Sequence, residues 1–118
     1  MDIEALQEYC NSKKGVSAEF PFDESTMVFK IMGKIFALVG LESDPASVNL
    51  KCDPELAQEL RDKHPDAISP GFHMSKVHWN TILLDSFSGK EIKVWVDHSY
   101  DLVVKGLPKA LRLEWESL

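Results

Sequence analysis

The chain is poor in the features that most directly announce a biochemical activity. It has only two cysteines, Cys10 and Cys52. One falls in a predicted helix and the other at a strand–helix junction. With no secretory signal before them, two reduced thiols are expected rather than a disulfide. The opening residues Met1-Asp2-Ile3-Glu4 lack a basic region followed by an apolar run, and no apolar stretch approaches the ~20 residues that cross a bilayer. Secretion and membrane insertion are disfavoured, and a cytoplasmic protein is expected. Glycine-rich phosphate loops, nucleophile elbows and paired zinc knuckles are absent, as are internal repeats and low-complexity runs. Positive charge is also scarce: 13 Lys and Arg against 19 Asp and Glu leave a formal charge of −6. An acidic whole does not favour sequence-independent phosphate binding, which depends on neutralising many phosphates. It leaves room for a local basic patch.

What is present reads as one small α+β domain over residues 1–118. That length is a single domain by size, and it can bury roughly two-thirds of its extended surface around one core. Asp2 caps a first predicted helix whose apolar residues Ile3, Leu6, Tyr9 and Cys10 share one side, with Lys13 and Lys14 in its last turn and Gly15 beyond it. Pro21 limits Ala18–Phe22 to an edge or irregular extended piece. Thr26–Met32 and the nearly continuous apolar run Ile35–Leu41 are expected strands of a hairpin turning at Gly33-Lys34. Ala46–Lys51 alternates, with Ser47, Asn49 and Lys51 on a polar face. Asp53-Pro54 starts a second helix that ends by Pro65. Asp66–Gly71 is expected to be loop, and Met74–Asp85 an extended strand. Ser88 and Glu91 form a capping-box pattern for the longest helix, expected to run to about Lys105 before Gly106 and Pro108. Residues 110–118 form a short terminal helix or a tail.

Polar chemistry concentrates in Gly71–Thr81. His73 and His78 invite a metal or acid–base reading. On one continuous strand, however, their odd separation puts them on opposite faces, and no further ligand stands at a metal-site spacing. No metal, no cofactor and no catalytic set is assigned. Lys76, His78 and Asn80 alternate as one polar strand face, which Asn49 and Lys51 from another strand could join, with Lys30 and Lys34 widening it at the hairpin tip. Lysine supplies charge for phosphate, and asparagine the paired donor and acceptor that match an adenine edge. Nearby Glu42, Asp44, Asp53 and Glu55 lower the local positive charge. Trp79 is expected on the opposite side of that strand, as a core anchor, with a base-stacking platform as its alternative role. Asp97-His98-Ser99-Tyr100 looks like a triad, but consecutive helical residues do not face one another.

Across almost the whole chain, from about residue 2 to Lys109, the sequence resembles the MmcQ/YjbR family of small, mostly bacterial proteins. The resemblance rests on Lys14-Gly15-Val16, Phe20-Pro21-Phe22, Gly33-Lys34-Ile35-Phe36-Ala37 and Val48-Asn49-Leu50-Lys51-Cys52-Asp53-Pro54. It continues with Pro70-Gly71-Phe72-His73-Met74-Ser75-Lys76, His78-Trp79-Asn80-Thr81 and Asp97-His98-Ser99-Tyr100-Asp101-Leu102-Val103. It implies a double-wing-like fold, an antiparallel sheet flanked by helices, of a kind often described as DNA-binding-like. Ser75 and Phe72 stand where the family commonly has Asn and Tyr. The family carries no accepted catalytic set, so the chain is not read as an enzyme with assigned residues.

Three functions are therefore expected to compete. The first is nucleic-acid binding, to DNA or RNA, through Lys30, Lys34, Lys51, Lys76 and Arg61. The second is a small-molecule site or unrecognised enzyme pocket near His73, His78, Trp79 and Asn80. The third is a protein-interaction face at Leu107, Leu111 and Trp115, in a monomer or weak dimer. The fold resemblance puts the first ahead.

Overall fold

A computed structural model describes residues 1–71 and 74–118. The elements in chain order are helix α1 (Ile3–Asn11), strands β1 (Val16–Glu19), β2 (Thr26–Ile31), β3 (Lys34–Gly40) and β4 (Ser47–Lys51), helix α2 (Pro54–Lys63), strands β5 (Ile68–Pro70) and β6 (Trp79–Leu83), and helices α3 (Gly89–Lys105) and α4 (Lys109–Glu116). The strands form one antiparallel sheet in the order β1-β2-β3-β4-β6-β5. This is the α+β, double-wing-like architecture that the family resemblance implied. Among the described residues, no helix is long and apolar enough to cross a membrane.

The helix starts follow from local chemistry. The Asp2 carboxylate accepts from the Ala5 amide at 2.8 Å, and Asp53 accepts from Leu56 at 3.2 Å ahead of Pro54. Ser88 and Glu91 satisfy each other's orphan donors in a complete capping box. The β2–β3 hairpin turns on Met32 and Gly33, with φ of 49° and 82°. Both signs suit the primed turn that matches strand twist.

The apolar run of β3 is continuous because a bulge lies inside it. The register shifts between Phe29 and Lys30, so that Phe29 faces Ala37 while Lys30 faces Ile35. Phe36 is the extra residue, and it is fully buried with Ala37 and Val39 in the main core. That core lies between one sheet face and residues of α1 and α3, among them Leu6, Cys10, Ile92, Val96 and Val103. The opposite face carries a small cluster of Val28, Leu38 and Trp79, with Ile35 and Met74 against it and no helical residue in it.

The structure departs from the sequence expectations in four places. Helix α1 ends at Asn11, before Lys13 and Lys14. Part of the expected loop at 66–71 is β5, an edge strand, where Pro70 forfeits no interior ladder bond. The expected strand from Met74 shortens to β6, with residues 76–78 in a turn. Leu107 is buried, and Trp115 packs on the main core, so the apolar face expected there is largely turned inward.

Four consecutive residues of α3 each tie down a different element. Asp97 accepts from the Tyr9 hydroxyl at 2.6 Å and pairs with Lys13, holding α1. His98 Nε2 accepts from the Asp53 amide at 3.1 Å. The Ser99 hydroxyl donates to the Phe36 carbonyl at 2.6 Å and accepts from the Lys51 amide at 2.9 Å. The Tyr100 hydroxyl donates to the Lys14 carbonyl and accepts from Trp115 Nε1 at 2.9 Å, which seats α4. The apparent triad is thus four structural ties. Removing the fully buried Ser99 hydroxyl leaves a carbonyl and an amide without that partner. Ser99→Ala is expected to cost about 1–3 kcal/mol in urea unfolding, and an unchanged midpoint would dismiss the bridge.

Both cysteines are free and buried. Burial pushes the Cys10 thiol up to about 12 and the Cys52 thiol up to about 11. The nucleophilic species is the thiolate, so neither thiol is expected to react with an aromatic disulfide reagent at pH 8 until the chain unfolds. Because the folded form holds protons that the unfolded form releases, this contribution to stability is lost as pH rises above about 9. Rapid stoichiometric labelling of the native protein would contradict the assignment.

Candidate functional site

With the helices packed against one side, the other side of β2, β3, β4 and β6 is a broad face that, among the described residues, no helix of the main core covers. Strand alternation places its residues. On β4, Val48 and Leu50 enter the core, while Ser47, Asn49 and Lys51 face outward. Their partners on β6 are Leu83, Thr81 and Trp79. On β2 and β3 the paired residues Val28 and Leu38 occupy the same face.

A groove of about 1090 Å³ runs over the upper part of this face. Leu38, Met74, Phe22 and Pro70 supply apolar walls, and Thr26, Ser47, Asn49, Ser69 and Thr81 supply hydroxyls and an amide. The Thr81 hydroxyl donates to Asn49 Oδ1, so that pair is oriented across the β4–β6 ladder. Asp23 and Asp44 stand at the groove's end. Asp23 Oδ1 accepts from the Ser25 and Thr26 amides at 2.9 and 2.7 Å. These bonds hold its carboxyl below the ordinary carboxylate range, so it is charged at neutral pH. A second, smaller cavity of about 480 Å³ lies at the β2–β3 turn end of the sheet, lined by Lys34, Ile35, Lys51, Met74 and Trp79 and, from the C-terminal end of α3, by Val103 and Gly106.

The residues singled out from sequence do not all meet. Asn49, Lys51 and Trp79 share the open face, Lys34 stands at its turn end, and Lys30 joins it in an ion pair with Glu19 at 2.7 Å. Trp79 is buried with 6% exposure, so its ring is not a free stacking platform. Lys76 and His78 lie in the exposed turn before β6 and do not form a strand face with Asn80. Asn80 points to the helical side and is 1% exposed. Its Oδ1 accepts from Arg61 Nε at 2.7 Å, and its amide donates to the Ala57 carbonyl at 3.4 Å. His73 lies outside the described residues. Among the described residues, no group of three or more His, Cys, Asp or Glu is arranged to hold a metal.

Arg61 explains why the strand starts late. Its guanidinium reaches across from α2, accepted by Asn80 Oδ1, by the Lys76 carbonyl and by the Trp79 carbonyl at 3.1 Å. That ties the 76–79 turn to the helix. It also engages a side chain that sequence reasoning had offered to phosphate. Gly71 completes the corner: an added Cβ there would meet Trp79 Cβ at 2.4 Å. Groove residues Leu38, Ser47, Ser69 and Thr81 were not singled out beforehand. The alternation of Ser47, Asn49 and Lys51 was the available signal, whereas Ser69 lay in an expected loop.

A family model described as YjbR matches residues 11–102. The chain belongs to the YjbR family. It is 36% identical over 113 residues to YjbR of Escherichia coli K12, covering 95% of each chain. It is 35% identical over 121 residues to YbdF of Escherichia coli O157:H7, covering 92% of this chain and 93% of that one. Among solved YjbR-like structures, the crystal structure of Deinococcus radiodurans DR2400, described as a DUF419 domain, superposes with a TM-score of 0.88 and 38% identity, over 97% of this chain and 87% of that one. A Pseudomonas syringae protein follows with a TM-score of 0.74 and 29% identity, over 86% and 98% of the two chains. Since the family model stops at residue 102, all of α4 lies beyond it.

Arg61→Met should leave the Asn80 carbonyl oxygen without its strongest donor. Urea unfolding should show a loss of about 1–3 kcal/mol. Hydrogen exchange should quicken at the Cys52 and Gly71 amides, which bond to the carbonyls of His78 and Trp79. Unchanged stability and protection would rule out the clamp.

Proposed function

We propose that this protein is a cytoplasmic binding domain that holds a small, partly apolar molecule on the open face of its sheet. The observation that carries this reading is the groove over Leu38, with the Asn49–Thr81 pair on one side and the Asp23 turn on the other. Ligand sites are typically concave, largely apolar and supplied with a few oriented polar groups, and the groove combines these properties. It carries no general base paired with a nucleophile among the described residues, so the reading is binding rather than catalysis.

Nucleic-acid binding is the second reading. It is favoured by Lys34 and Lys51, neither of which is in an ion pair with a described residue. Lys76 adds an exposed charge nearby. Lys30 is engaged by Glu19 and Arg61 by the 76–79 turn, and Asp23 and Asp44 at the other end of the face repel phosphate. The basic area is therefore short.

An amide-resolved NMR fragment screen separates the readings. Hits should shift the amides of Leu38, Ser47, Asn49, Ser69 and Thr81. Ser69→Trp, a change at an exposed groove position, should weaken them at least tenfold. Hits confined to the helical side would reject the groove. In parallel, a short DNA duplex at two salt concentrations should bind weakly or not at all. Tight binding that falls steeply with salt would favour the second reading.

A further inference from the structure

The open face is electrically divided along its strands. The groove end at Ser47 is lined by two carboxylates, Asp23 and Asp44, and by no Lys, Arg or His among the described residues. The smaller cavity at the Lys51 end is lined by two ammonium groups, Lys34 and Lys51, and by no carboxylate among the described residues. Met74 lines both cavities and stands between them. Ser47 and Lys51 are the two ends of β4, separated by four strand steps, or ~13 Å at about 3.3 Å per step.

Each charged end is available for a ligand. The Asp23 carboxylate is held in place by amides rather than by a cation, and neither Asp23 nor Asp44 is ion-paired with a described residue. The lysines at the far end are equally unpaired. By contrast, Lys30, next to the turn end of β2 and opposite Ile35, is neutralised by Glu19. Opposite charges at the ends and an apolar middle floored by Leu38 select for a molecule of matching pattern.

We propose that this face takes an extended zwitterion about as long as a tetrapeptide, with its ammonium group toward Asp23 and Asp44 and its anionic group toward Lys34 and Lys51. The assignment rests on the groove reading above and adds ligand charge, length and polarity to it. A chain of about four extended residues spans ~13 Å at 3.3–3.6 Å each, which matches the interval between the two ends. Backbone groups of such a ligand would meet the hydroxyl and amide groups of β4 and β6, and its side chains the Leu38–Met74 surface. Duplex DNA has the wrong charge for the Asp23 end, and a simple carboxylate or amine satisfies one end only.

The test uses tetraalanine with free termini, the same peptide acetylated, amidated or blocked at both ends, and free dialanine, each titrated into the full chain by NMR. The free tetrapeptide should bind most tightly, with each single block weakening it several-fold and the dipeptide weaker still. Asp23→Asn combined with Asp44→Asn should abolish the penalty of acetylation while leaving that of amidation. Asn at position 23 keeps a carbonyl oxygen for the turn, so this variant should fold. Lys34→Gln with Lys51→Gln should do the reverse. Equal binding of all four tetrapeptide forms, or penalties that the paired variants do not remove, would overturn the polarity. If no peptide binds but uncharged fragments still shift the groove amides, the dipolar assignment falls and the groove reading survives. If neither binds, both fall.

Discussion

One buried hydroxyl sets the geometry on which the rest depends. Ser99 joins the Phe36 carbonyl of β3 to the Lys51 amide of β4 from within α3. A buried hydroxyl satisfied as donor and as acceptor allows only one seating of the helix, since sliding would orphan groups in a low-dielectric interior. Its neighbours extend the constraint. Asp97 draws in α1, His98 meets the start of α2, and Tyr100 holds Lys14 and Trp115. Chain segments remote in sequence thus converge on one turn of one helix. The run that resembles a catalytic set is spent on architecture.

Seating α3 this way leaves the far side of the sheet open. The bulge at Phe36 then decides what that side shows. It sends Phe36 and Ala37 together into the core and returns Leu38 to the open face opposite Val28. Without the extra residue the following side chains would change sides. Arg61 and Gly71 shape the remaining wall by pinning the turn before β6 and allowing β5 to approach Trp79. The groove is therefore a joint product of the helical packing, a bulge and a clamp, rather than of any local motif.

One strand of the candidate face was legible in the sequence, and what was missed has definite causes. The alternation of Ser47, Asn49 and Lys51 correctly located one polar strand face, because strand periodicity is a local property. The corresponding reading of Lys76, His78 and Asn80 failed because Arg61 occupies the carbonyls of Lys76 and Trp79. A guanidinium reaching from α2 leaves no mark on the pattern of residues 76–80. Asn80 then turned out to be an internal partner of that arginine. Trp79 and Asn80 lie on opposite sides of the strand as expected, but the sides are exchanged: Trp79 joins Val28 and Leu38 on the open face, and Asn80 is buried on the helical side.

The sequence by itself determined what nearby residues can decide. Caps, prolines and apolar spacing specified the helix starts and the strands β2, β3 and β4, with the hairpin between β2 and β3 placed one residue late, at Gly33-Lys34 rather than Met32-Gly33, because those effects act within a few residues. Motif order carried the family. Tertiary structure alone decided which sheet face stayed open, that 68–70 pairs as an edge strand, and that Arg61 and Asn80 serve each other. It also decided that Asp23 and Asp44 share a face with Lys34 and Lys51 at opposite ends. Those outcomes depend on contacts between residues tens of positions apart, whose free energies appear only once the whole sheet has closed around its core.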